Sequence, residues 1–344
     1  MAHKEKAKST KLYVGVDVGG TKILATLVKR SGKVLARRRL RTPRDADPAL
    51  VLTTIADAVE ELLAKAKAPR KAIVAIGLAI PGVVDGDAGR IVITPNMNLS
   101  GVDVIRKMRK RIDVPILLGN DVNLGTLGEA WLGAARGART VVGIFVGTGI
   151  GGGVILNGRL HRGCRESAGE IGHLIMQPGG PRCGCGSRGC LEALASRTAI
   201  ERDIREAIAS GRSSVVPELL DDETSLIRSG TLKKALARAD EVVTDVMRHA
   251  SEILGYACLS IRHLIDPEVI VLGGGVIEAC GDFVLPIVED IVASDPLTGA
   301  RQAGRIEASL LGDDAVALGA VALAQQAAGR HPLRDADAKG SRAG

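Results

Sequence analysis

His173, Cys183, Cys185 and Cys190 follow one another as H-x9-C-x-C-x4-C inside GEIGHLIMQPGGPRCGCGSRGCLE (169–192), a stretch that also carries Glu170 and Glu192. The 344-residue chain has only six cysteines and six histidines, so composition alone does not produce this grouping. A disulfide reading leaves an odd cysteine and needs an oxidising compartment. A redox pair more usually reads C-x-x-C. One imidazole and three thiolates are the full ligand set of a closed tetrahedral zinc site, which leaves no open position and makes the metal structural. Cys164, Cys258 and Cys280 lie in apolar or loop contexts and read as packing residues.

Two glycine-rich turns offer a second chemistry. In DVGGTK, Asp17 ends an apolar run, Gly19 and Gly20 make the turn, and Thr21 and Lys22 open the next run. Glycines let the backbone approach an anion while a hydroxyl and N–H groups cradle it, and the Asp17 carboxylate suits Mg2+ held through water. GTGIGGG (147–153) repeats the pattern with Gly147, Thr148 and Gly149. Ordinary hairpin turns are the competing reading, because tight turns use glycine anyway. Recurrence in both halves of the chain favours a nucleotide held between two similar domains. Gly147, Gly149 and Gly152 also satisfy G-x-G-x-x-G, but GVILNGRL follows where a dinucleotide site needs a helix, so that reading fails. Asp121 in LLGNDVN sits between a short apolar run and a helical pattern. It is either a general base facing a cleft or a helix N-cap.

The elements that must position these groups alternate in type. Strands are expected over 11–18, 22–28, 33–40, 72–80, 114–118, 140–146, 152–156 and 268–274. Helical periodicity marks 49–66, 102–111, about 122–134, most of 192–265 and 316–327. Asn157-Gly158 reads as a hairpin turn. This is an α/β pattern with mixed sheets, long enough for two domains.

Hydrophobic residues make up 46% of the chain, which supports packed cores. No apolar run approaches the roughly 18 residues needed to span a bilayer, and MAHKEKAKST has no apolar segment of a secretory signal. A cytoplasmic protein without membrane partners is expected. The net charge of +7 sits largely in the two ends, and only five aromatics are present, too few for base-stacking platforms. Nucleic-acid binding is therefore not expected.

DVGGTK, GNDVN (119–123), GTGIGGG, GEIGH (169–173) and CGCGSRGCLE (183–192) occur in the order seen in the ROK family of repressors and sugar kinases, which the chain resembles over roughly residues 12–326. The resemblance implies the actin/hexokinase-like (ribonuclease H-like) fold, with ATP and sugar in a cleft between two α/β domains. It implies a smaller domain of 11–120 plus 311–329 and a larger one of 121–310, with disordered tails at 1–10 and 330–344. On this resemblance Asp121 is the catalytic base, and Asn96, Asn120, Glu170, His173 and Glu192 contact the sugar, with Asn98 the alternative to Asn96. The segment 96–104 departs from the commoner aromatic-containing version, which leaves the choice of sugar open. Gly273, Gly274 and Gly275 in GGGV would meet the adenosine end of ATP, close strand-helix packing being the other reading. The zinc loop lies between Glu170 and Glu192 and would hold both at a fixed distance, His173 giving one ring nitrogen to the metal and the other to the sugar. The implied activity is ATP-dependent, Mg2+-assisted phosphorylation of a hexose, glucose by preference. N-acetylglucosamine, N-acetylmannosamine, fructose and allose are alternative substrates and polyphosphate an alternative donor. The family's repressors carry a helix-turn-helix domain ahead of DVGGTK, for which the ten residues before the first strand leave no room. A homodimer or dimer of dimers is implied.

Overall fold

The computed structural model describes residues 11–43, 47–94, 97–222, 224–297, 299 and 304–333. Of the expected tails at 1–10 and 330–344, residues 1–10 and 334–344 lie outside the described residues, as does Asn96, whereas 330–333 are ordered and Leu333 is buried. The chain divides into one unit of residues up to Gly137, Gly163–Ser167 and from Asp313, and a second unit of Ala138–Arg162 and Ala168–Gly312.

In the first unit, β1 (Leu12–Val18), β2 (Lys22–Lys29) and β3 (Val34–Arg41) form an antiparallel meander. β4 (Ile73–Ile80) runs parallel to β1, and β7 (Ile116–Asn120) parallel to β4, giving the order β3-β2-β1-β4-β7. Between them β5 (Val83–Asp85) and β6 (Arg90–Ile93) make a separate hairpin. β1 and β4 are apolar and buried at nearly every position, as strands covered on both faces must be. β3 sits at the edge and alternates half-buried with exposed, which is where a run of arginines is tolerated.

Helix α1 (Pro48–Lys65) begins where the Asp47 side chain accepts from the Ala49 N–H at 2.8 Å, with Pro48 at the first position. It buries Val51, Leu52, Ile55, Val59 and Leu62. Helix α2 (Val104–Met108) is short and capped by Asp103. Helix α3 (Asp121–Leu132) stays with the first unit because it packs on α9 (Ala315–Ala327). The contact is backbone to backbone: a Cβ on Gly319 would overlap the Leu124 carbonyl oxygen, and one on Gly77 the Ala320 carbonyl oxygen. The small-residue composition of α9 lets it lie between the sheet and α3.

The second unit repeats the topology. β8 (Val141–Val146), β9 (Ile150–Leu156) and β10 (Arg159–Leu160) form a meander, with β11 (Val269–Gly273) parallel to β8 and β12 (Arg305–Ala308) parallel to β11. The order is β10-β9-β8-β11-β12, the same arrangement as in the first sheet. Asn157 and Gly158 both take positive φ between β9 and β10, as a two-residue hairpin turn requires. Helices α4 (Leu191–Ala195), α5 (Arg197–Ala209), α6 (Ser229–Ala237), α7 (Glu241–Ile265) and α8 (Gly275–Ala293) cover the sheet. On α7, Val243, Met247, Ala250, Leu254, Cys258 and Ile261 recur at helical spacing and are buried.

Several elements were not expected. Helix α8 contains Pro286 and leaves helical geometry at Cys280, so its sequence reads as interrupted although the chain stays helical across the kink. β5, β6 and β12 are too short to show a period. Among the cysteines outside the motif, Cys258 and Cys280 are buried as expected, whereas Cys164 is exposed. Among the described residues no helix is long and apolar enough to cross a membrane.

Candidate functional site

The two glycine turns occupy the same place in the two sheets, each closing the first strand onto the second. In the first unit, Asp17 pairs with Leu24 and Val18 with Ile23, and the Gly19 N–H donates to the Lys22 carbonyl at 2.9 Å. Thr42, just past β3, holds the turn from outside: its hydroxyl donates to the Gly19 carbonyl at 2.6 Å and its N–H to the Thr21 carbonyl at 3.1 Å. The Gly19 and Thr21 carbonyls are thereby engaged from the Thr42 side. Lys22 is not free: its ammonium pairs with Asp313 at 2.8 Å, and Arg39 reaches the same carboxylate at 3.2 Å. Burial pushes the Asp17 carboxyl up to about 7, the neighbouring Asp121 charge pushes the same way, and the Lys22 ammonium opposes both.

Asp121 opens α3, but it is not the N-cap. Asn120 takes that place, its Oδ1 accepting from the Asn123 N–H at 2.9 Å. The Asn120 amide also donates to the Gly82 carbonyl and to Asp121 Oδ1, both at 3.0 Å. Both its N–H groups are thereby used, so Asn120 can offer a sugar hydroxyl only its remaining oxygen lone pair. Asp121 Oδ1 accepts from the Val122 N–H at 2.9 Å, and the carboxylate stands in the first turn of α3. Asn120 therefore takes the N-cap role that the sequence also offered to Asp121.

In the second unit the turn 147–149 links β8 to β9 as a hairpin, with no helix after it, so the dinucleotide reading is excluded by geometry. Its carbonyls point into α5: Arg197 N–H donates to the Gly147 carbonyl at 2.9 Å and Thr198 hydroxyl to the Thr148 carbonyl at 2.8 Å. On the other flank, Glu192 Oε2 accepts from the Ile150 N–H at 3.0 Å, and a Cβ on Gly149 would overlap that carboxylate. Neither Arg197 nor Thr198 carries a spacing signal, and sequence reasoning passed over both. Gly273 ends β11, Gly274 takes φ +85°, and Gly275 opens α8, so GGGV is a strand-turn-helix junction. A Cβ on Gly274 would meet Val146 backbone, and one on Gly273 would meet Phe145 and Ser309. Close packing alone therefore requires these two glycines.

His173, Cys183, Cys185 and Cys190 converge, with one ligand atom from each lying within 4.8 Å of all the others. The loop that holds them is tied by its own backbone. Met176 and Gln177 N–H groups donate to the Gly189 carbonyl, Gly189 N–H to the Pro181 carbonyl, and Cys183 N–H to the Ser187 carbonyl. Gly189 takes φ +75°, and a Cβ there would overlap the Gln177 carbonyl oxygen. His173 Nδ1 lies 3.7 Å from Cys183 Sγ, and Cys185 Sγ lies 3.7 Å from Cys190 Sγ. The other His173 nitrogen, Nε2, faces Glu170 at 3.9 Å, and Cys183 Sγ lies 3.5 Å from Glu192 Oε1. Glu170 is exposed and Glu192 half-buried, so the cluster stands between two carboxylates in space as it does in sequence.

Two α/β units that share one strand order, each with a glycine turn at the end of its first strand, define a protein of the actin/hexokinase-like class. The chain belongs to the ROK family, which it matches over residues 13–327. It is 33% identical over 320 residues to the glucokinase of Halalkalibacterium halodurans, covering 92% of this chain and 96% of that one. In structure it is similar to the ROK hexokinase from Thermus thermophilus, with TM-score 0.78, 33% identity, and coverage of 92% of this chain and 99% of that one. It is also similar to a ROK family glucokinase from Streptomyces griseus solved with glucose and AMPPNP, with TM-score 0.74, 30% identity, and coverage of 92% and 99%.

Proposed function

We propose that this protein is a hexokinase-type sugar kinase that moves the γ-phosphoryl group of ATP to a hexose, converting glucose to glucose 6-phosphate. The observation that carries the reading is Asp121: Asn120 takes over the capping of α3, and the Asp121 carboxylate stands in the field of Asp17. The similarity to glucokinases along nearly the whole chain supports the same reading. Asp121 accepts the proton of the sugar 6-hydroxyl as that oxygen bonds to the γ-phosphorus, and the bond to the departing ADP breaks. The second turn offers ADP and the transferred group the Thr148 hydroxyl and backbone donors, and the first turn offers its own from Gly20 and Thr21. Lys22 contributes charge through its pair with Asp313. Asp17, raised by burial and by Asp121, is relieved when a dication sits near it, which fits Mg2+ held through water. Glu170, Glu192 and the remaining His173 nitrogen accept or donate to sugar hydroxyls, with Asn96 and one lone pair of Asn120 completing the set. GGGV receives the adenosine end.

The cysteine cluster fits zinc. A tetrahedron with zinc–sulfur bonds of about 2.3 Å has sulfur–sulfur edges of about 3.8 Å, and the Cys185 and Cys190 sulfurs are 3.7 Å apart. His173 Nδ1, Cys183, Cys185 and Cys190 would hold the ion, which supplies charge to three thiolates and closes the loop. Backbone hydrogen bonding from Ser187 draws the Cys185 thiol down to about 7, which eases the loss of its proton. The protein acts in the cytoplasm as a homodimer or dimer of dimers, which light scattering of the purified protein checks.

A coupled assay of sugar-phosphate formation tests the function. It would run glucose, N-acetylglucosamine, N-acetylmannosamine, fructose and allose against ATP and polyphosphate. Glucose with ATP is expected to be the best pair. Absence of turnover with every pair refutes the enzyme reading, and turnover confined to an N-acetyl sugar refutes glucose while leaving the mechanism.

A further inference from the structure

Arg197 opens α5 and is largely buried, with its side chain 12% exposed. Its Nη1 donates to Glu201 Oε2 at 2.9 Å and to the Ile227 carbonyl at 3.1 Å. Its Nη2 points the other way and lies 3.4 Å from the Thr148 hydroxyl, long for an N–H···O bond. The Arg197 backbone N–H holds the Gly147 carbonyl at 2.9 Å. One residue thus grips the second glycine turn from its main chain and faces it with half of a guanidinium.

A buried arginine needs a compensating anion. Glu201 is that anion, but it is shared: Arg205 binds its Oε1 at 3.0 Å, and the Ile227 N–H binds the same oxygen at 3.1 Å. Glu201 holds the Nη1 side of the Arg197 guanidinium, and the Nη2 side faces Thr148. A rigid planar fork is suited to holding one partner while presenting its remaining donors to a phosphate. There is a further consequence for the hydroxyl. When Thr148 Oγ1 accepts from Arg197, its own proton is left to donate outward. Arg197 therefore sets both the direction of the Thr148 proton and the charge behind it.

We propose that Arg197 is a positioning residue for the nucleotide phosphates, acting through Thr148 and the Gly147 carbonyl. It favours ligands in proportion to the phosphate charge they bring. The inference rests on the reading of 147–149 as a phosphate turn, and the test separates the two. Binding of adenosine, ADP and ATP would be measured by calorimetry for the unaltered protein, Thr148→Ala, Arg197→Gln and Arg197→Lys, with glucose binding alongside. Charge-assisted hydrogen bonds of this kind correspond to a roughly ten- to hundredfold change in affinity. Arg197→Gln is expected to weaken ATP about tenfold or more, ADP less, and adenosine and glucose by no more than about twofold. Arg197→Lys keeps the charge balance around Glu201 but cannot serve Glu201, Ile227 and Thr148 together, so it is expected to fall between. It also yields a readable result if Arg197→Gln does not fold. Loss of ATP affinity in Thr148→Ala with normal affinity in both Arg197 variants overturns the role of Arg197 alone. Unchanged ATP affinity in Thr148→Ala overturns the phosphate-turn reading beneath it. Equal losses for adenosine and ATP make Arg197 a structural brace and overturn the proposal.

Discussion

Replacing Asp17 by Asn should stabilise the protein while destroying its activity, and the stabilisation should grow as pH rises from 3.8 to about 7 and be complete above that. The Asp17 carboxyl is raised from 3.8 to about 7, first by burial and then by Asp121. Folding therefore favours its protonated form. That contribution is complete below pH 3.8, where folded and unfolded chains both hold the proton, and is lost as pH climbs through about 7. At about 1.4 kcal/mol per pKa unit, the charge on Asp17 costs the folded state at most about 4 kcal/mol at pH 8. Water at this half-buried carboxylate trims that to about 2 kcal/mol. Asparagine cannot ionise, so Asp17→Asn should match the parent at about pH 3.5 and exceed it at about pH 8. At about 2–4 °C per kcal/mol for a domain of this size, the melting temperature should rise by about 4–8 °C. Melts at both pH values without Mg2+ or nucleotide read this directly. Mg-ADP at about a hundredfold its Kd should then stabilise the parent by about 2.7 kcal/mol and the variant far less. An equal gain at both pH values would place the effect in packing. No gain at pH 8 would show that Asp17 is already paired and would remove the argument for a cation beside it.

Three further outcomes follow from named contacts. Asp121→Asn should keep the Asn120 cap on α3 and cut kcat by about 10²-fold or more, with sugar Kd from calorimetry little changed; near-normal kcat would end its assignment as base. Elemental analysis should find about one zinc per chain, absent in Cys185→Ser, which should also melt lower and bind sugar more weakly as Glu170 and Glu192 lose their shared brace. Full sugar affinity in the metal-free variant would make the cluster a remote staple. Gly149→Ala places a methyl where the Glu192 carboxylate now accepts from Ile150, so both sugar and ATP should bind more weakly; a silent substitution would show that Glu192 moves freely.

The cysteine cluster was legible because its chemistry is local. Four ligands within eighteen residues need only one loop to meet, and loop glycines such as Gly189 announce the turns that close it. The strands around the two glycine turns were legible for a similar reason: β-branched runs broken by paired glycines have little else to become. Helix α8 was obscured because Pro286 and the kink at Cys280 break a pattern that tertiary packing restores. Asp121 shows a subtler limit. Its sequence neighbourhood signals an N-cap, and an N-cap exists, but one residue earlier at Asn120. Boundaries of elements are set to within a residue by hydrogen bonds that a linear pattern does not display.

The interactions of Glu192 and Arg197 had no linear signal at all, and they alter how the second unit is understood. Along the chain, the cysteine loop and GTGIGGG stand apart, and the proposed function gives one to sugar and the other to phosphate. In space they share α4 and the start of α5. Cys190 precedes α4, Glu192 on its first turn touches both Cys183 and the Ile150 N–H, and Arg197 five residues on holds the Gly147 carbonyl. The turn 147–149 is therefore gripped at both ends by a segment that the cysteine loop anchors. A loop closed by metal fixes Glu192, Glu192 fixes the N–H that follows the turn, and Arg197 fixes the carbonyl that begins it. Sugar and nucleotide affinities should then fall together when the metal is lost, even though no cysteine need touch either ligand.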